Sequence, residues 1–182
     1  MDIGKRREDY LPRPSTWVGG PGGIQPDSRP WDQVEPEYAF VDELTALRPQ
    51  VRGAGHLERF DYWLNSMRYL KAVGRVNCTW GRFNAAWEKL QKEQDRERQK
   101  QRAREILLPI RRELVQQAGQ AHNLLLASIT TTGGLGTVAN WQQHVFPSLL
   151  IEPGRKLAEL LGAPLPAEAM PSDSYEGPPR LI

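Results

Sequence analysis

The chain has 182 residues, 39% of them hydrophobic and 25% charged, which suits one soluble domain with a real core. A net charge of +2 is too balanced to make nucleic acid or an anionic membrane the main partner. The single cysteine, Cys78, excludes an internal disulfide, and no apolar run approaches the roughly 20 residues of a membrane span.

Residues 1–30 are dense in Pro and Gly and predict an irregular lead-in. Trp17, Val18 and Ile24 give it some apolar grip on a domain. The opening MDIGKRREDYLPRPS lacks the apolar core of a secretory signal, so the compartment is left open.

A helical domain is expected over residues 31–162. Asp32 and Glu35 form a D-x-x-E capping pattern, with Pro36 in the first turn. Val34, Tyr38, Val41, Leu44 and Leu47 follow at helical spacing, and Arg48-Pro49 ends the helix. Leu57, Phe60, Trp63, Leu64, Met67 and Leu70 predict one apolar face of a second helix, with a break near Gly81. Phe83, Trp87 and Leu90 restart the pattern.

Residues 91–105 are almost wholly polar. They predict an exposed helix end or a turn, with acids and bases interleaved at i,i+3 and i,i+4, and no nucleic-acid binding. Leu107, Ile110, Leu114, Ala118, Ala121 and Leu125 then mark a buried helical face, with a kink or helix start near Pro109 and a stop at Gly133-Gly134. A short helix carries Val138, Trp141 and Val145 up to Pro147. A last one starts at Glu152-Pro153 and stops at Gly162. Residues 163–182 predict an irregular tail or linker. No strand-like alternation is present. The expected fold class is mainly α: an antiparallel bundle of four to six helices with long irregular Pro/Gly-rich ends.

The stretch TTTGGLGTVANWQQH, Thr130 to His144, combines glycines with Asn, Trp, Gln and His. A phosphate loop is excluded, because no lysine follows the glycines and no strand precedes them. His56, His122 and His144 are scattered without metal-ligand spacing, and no G-x-S-x-G elbow exists. The acids show no pair suited to glycoside cleavage. No catalytic residue, metal ligand or cofactor is therefore assigned. The stretch reads best as a helix–helix joint, with Thr132 or Thr137 capping the next helix and Trp141 docking it.

Trp63, Trp80, Trp87 and Trp141 lie in the helical region, near Asn65, Arg68, Asn77, Asn84, Asn140, Gln142 and Gln143. Indole faces beside amides and guanidinium groups suit sugar binding. The same mixture also seals buried helix ends, and core packing is the commoner use of such tryptophans.

FDYWLNSMRYLKAVGRVNCTWGRFNAAWEKL, LPIRRELV and SITTTGGLGTVANWQQH together resemble the helical segment that follows the catalytic barrel in large carbohydrate-active enzymes. The likeness is to glycoside hydrolase-like proteins of planctomycete-type bacteria and runs from roughly Trp31 to Leu161. It implies a non-catalytic module that buttresses a catalytic domain, of the same or a neighbouring polypeptide, or adds one wall to its substrate cleft. It also implies a fragment of a longer enzyme, with EGPPRLI leading into a further domain. Asn140, Trp141, His144, Asn65 and Arg68 are the candidate ligand-binding residues. A free-standing helical interaction module is the alternative.

Overall fold

The computed structural model describes residues 24–165. Trp17, Val18 and the Pro/Gly-rich stretches 1–23 and 166–182 lie outside them. The described chain is mainly helical and contains no strand. None of its helices is long and apolar enough to cross a membrane.

Helix α1 (Trp31–Val34) passes through a tight turn (Glu35–Tyr38) into α2 (Ala39–Leu47). The expected D-x-x-E cap is not used. Pro30 occupies the N-cap position, no side chain caps the helix, and Asp32 lies inside the first turn. A second tight turn, Arg48–Gln50, holds Pro49 and closes this unit.

Helix α3 (Ala54–Gln91) runs for 38 residues, about 57 Å at 1.5 Å per residue. The break expected at Gly81 does not occur. Gly81 serves a close approach instead: a Cβ there would lie 1.9 Å from the Asp27 carbonyl oxygen. The segment Ile24–Arg29 straps across the helix at this point. The Gln25 N–H donates to the Asn77 side-chain oxygen at 3.0 Å, and the Asp27 N–H to the Asn77 carbonyl at 3.0 Å. Arg29 closes the strap by donating to Asp27 (2.7 Å) and to Glu37 (2.6 Å). Ile24 is anchored beneath it, 2% exposed. Gly74 has a similar task, with the Tyr38 ring on its Cα.

After a turn at Lys92, Asp95 caps α4 (Arg96–Arg102) by accepting from the Glu97 and Arg98 N–H groups. A widened π-turn, Ala103–Leu107, leads into α5 (Leu108–Ser128). The helix runs back along α3: Leu90 packs with Ala103 and Leu107 near the turn, and Arg82 pairs with Glu113 further along. Every apolar position expected on α5 is buried. The helix stops at Ser128, where Ile129 is extended, before the Gly133-Gly134 pair is reached.

The last section departs most from expectation. After a tight turn at Thr132–Gly134, α6 (Leu135–Asn140) starts without a threonine cap. Helical winding does not stop at Pro147. It continues through two π-turns, Trp141–Val145 and Pro147–Ile151, into α7 (Glu152–Leu161). Pro109, Pro147 and Pro153 each follow a π-turn by two residues. A proline cannot donate to the carbonyl four residues back, and its ring crowds that carbonyl. A locally widened turn absorbs both defects and keeps the axis continuous. Helix α7 ends at Gly162 in the left-handed conformation, φ 68°.

Two buried clusters hold these parts together. The larger joins Val73 and Val76 of α3 to α5 and to the Val138–Leu150 stretch, and the smaller joins Phe83 and Leu90 to Leu107 and Leu157. Arg111, only 6% exposed, links α5 to the last helix by donating to the Leu150 carbonyl at 3.3 Å. Its guanidinium lies against Gly154, where a Cβ would come within 2.7 Å.

Candidate functional site

An open cleft of about 510 Å³ lies between the C-terminal third of α3 and the stretch from Gln143 to Lys156. Trp80, Asn84 and Trp87, at spacings of four and three, fall on one stripe of α3 and form one wall. Phe83 lies below, stacked with Trp87 at a centroid distance of 6.2 Å and an angle of 16°. Gln143, His144, Ser148, Glu152 and Lys156 supply polar groups on the opposite wall, with Pro147 and Pro153 between them. The two π-turns create this wall, because they carry the chain past both prolines without ending the helix.

Trp80 packs on the larger core cluster and Trp87 on the smaller. The cleft therefore spans the seam between the two clusters, and neither indole is fully buried. Chemically, this is a site with large apolar faces and a few amide, hydroxyl and charged groups. Glu152 is the one carboxylate among its lining residues. Among the described residues, no group of three His, Cys, Asp or Glu could hold a metal ion.

The five candidates from sequence do not come together. His144 lines the cleft, exposed. Asn140 is half-buried at the end of α6 and does not line it. Trp141 is a correction as a ligand platform: it is 1% exposed and offers solvent no ring face. Its indole N–H donates to the Tyr69 hydroxyl at 2.9 Å. His122 and Phe146 surround it at centroid distances of 5.9 and 5.5 Å. Burial pushes the Tyr69 phenol above its usual range, and the Trp141 N–H draws it the other way. Asn65 and Arg68 are also displaced from the cleft. Nineteen residues of helix separate Asn65 from Asn84, about 28 Å. Arg68 donates to the Thr45 hydroxyl at 3.3 Å and so ties α3 to α2.

The residues that do form the cleft, Trp80, Asn84, Trp87 and Gln143, belong to the aromatic and amide set noted in the sequence. Their shared stripe on α3 is the signal that singles them out. Trp63, by contrast, is 59% exposed on the far half of α3 and belongs to no cleft residue set. Comparison with protein-family models, curated proteins and solved structures gives no match.

Proposed function

We propose that this chain is a non-catalytic helical module of a larger carbohydrate-active enzyme, and that its Trp80–Trp87 cleft contributes one wall of a sugar-binding site. The observation that carries the reading is the cleft's composition. Two indoles seven residues apart give flat apolar faces for the C–H surfaces of sugar rings. Asn84, Gln143, Ser148 and Lys156 give the donors and acceptors that hydroxyl groups need. A cleft of about 510 Å³ has room for a short oligosaccharide rather than an extended chain. The resemblance of residues 31–161 to segments that follow glycoside hydrolase barrels points the same way. In this reading the helices form an antiparallel bundle, and its partner is the catalytic domain of the same or a neighbouring polypeptide. Nucleic acid and membrane are not partners.

The test is titration with a panel of neutral oligosaccharides, followed by tryptophan fluorescence and calorimetry. Binding at millimolar affinity or tighter is expected, and Trp87→Ala or Trp80→Ala should weaken it about tenfold, a loss of roughly 1.4 kcal/mol. The protein alone should hydrolyse none of the panel. Absence of binding across the panel, or wild-type affinity in both variants, contradicts the proposal.

A further inference from the structure

A second concave surface lies on another face of α3 and shares no lining residue with the sugar cleft. It is a groove of about 370 Å³ between α3 and the α4–α5 turn. Its floor is Ala85, Ala86, Leu90, Leu107 and Ile110, and Ile106 stands at its edge, 47% exposed. Its rim carries Arg82, Lys89 and Arg102, with no carboxylate among the lining residues. The groove continues past Arg82 and Ala85 into a smaller hollow that adds Arg75 and Arg29 and one carboxylate, Glu113. Arg75, Arg82 and Lys89 recur every seven residues, about 10 Å apart along the helix axis.

We propose that this groove docks an acidic amphipathic helix of a partner protein. Three properties select that occupant. The floor is almost wholly aliphatic, so a ligand rich in hydroxyls would lose hydrogen bonds on entering. The surface is concave and walled by two helices, whereas a membrane receives a convex apolar face. Cations at a two-turn repeat match carboxylates at the same repeat on a helix lying alongside α3, with that helix's apolar residues set on Ala85 and Ala86. Arg82 already meets Glu113, and Arg102 lies 3.8 Å from Glu93, so an incoming carboxylate shares these two cations with acids of this chain. Arg75 and Lys89 make no ion pair within the described residues.

The test uses two labelled synthetic helical peptides of about 20 residues, long enough to form helix on binding. Both carry Leu at three-and-four spacing, one flanked by Glu and the other by Lys. Anisotropy should show binding of the Glu peptide alone, weakened by added salt. The double variant Lys89→Glu/Arg102→Glu should weaken it about tenfold or more, and Ala85→Trp, which fills the exposed floor, should abolish it. Circular dichroism verifies that the variants fold, and oligosaccharide titration should be unchanged in them, which separates this proposal from the sugar-binding one. Equal binding of both peptides, no binding of either, or indifference to Ala85→Trp overturns it. So does a homodimer that Ala85→Trp dissociates, or binding to anionic vesicles that the charge reversal removes while the peptide stays unbound.

Discussion

Replacing Trp141 by Ala removes the largest fully buried side chain of the described core. The ring is 1% exposed and lies among Tyr69, His122 and Phe146. Emptying such a site costs about 3–5 kcal/mol in lost transfer energy and residual cavity. The variant also strands the Tyr69 hydroxyl, which loses the donor it accepts from at 2.9 Å. An orphaned, partly buried hydroxyl adds about 1 kcal/mol. Helix α6 has six residues and cannot hold itself in water, so the loss should spread along the Leu135–Ile151 stretch. Trp141→Phe is an intermediate case, since it keeps one aromatic ring but removes the N–H together with the pyrrole half of the indole. Its cost should be about 1–3 kcal/mol. Urea unfolding, monitored by far-ultraviolet circular dichroism, measures both. A midpoint unchanged by Trp141→Ala would refute the reasoning, because it requires the ring to contribute nothing to docking this helix.

Gly81→Ala should destabilise the fold by more than 1 kcal/mol, because the new Cβ meets the Asp27 carbonyl and displaces the strap. Gly55→Ala, with nothing within 4 Å, should be neutral or stabilising, and thermal unfolding of the pair checks the contrast. Alkaline pH should loosen the core through Tyr69. Its folded pKa lies above the ordinary 10.0, so its neutral form contributes stability below about pH 10 that is lost as pH rises further. Tyr69→Phe should flatten that part of the stability profile in urea titrations above pH 10, and an identical profile would contradict the assignment.

The helical class was legible from spacing alone, and so were the buried face of α5 and the stop at Gly162. These depend on local rules of side-chain period and glycine conformation. What was not legible depends on distant partners. Gly81 looks like a breaker until Asp27, 54 residues earlier, is seen to lie on it. Pro147 looks like a helix end and Glu152-Pro153 like a fresh helix start, yet widened turns carry the winding past Pro147 and straight into α7. The face from Leu57 to Leu70 is split: Leu64 is 1% exposed, while Trp63 and Leu70 are 59% and 47% exposed. The site followed the same division. His144, singled out by the unusual composition of its stretch, lines the cleft. Trp80, Asn84 and Trp87 gained their meaning only when the last helix closed over them, and Trp141 lost its candidacy when Tyr69 supplied its hydrogen-bond partner.

The most direct measurement of the central claim is the set of indole N–H resonances in a nitrogen-15-labelled sample, assigned by single substitutions and followed during oligosaccharide titration. The account predicts saturable shifts for Trp80 and Trp87, the two indoles lining the cleft. Trp141, sealed in the core, should stay still, and so should Trp63, exposed about 25 Å along the helix from Trp80. Shifts confined to Trp63, or none at all at saturating oligosaccharide, would contradict it.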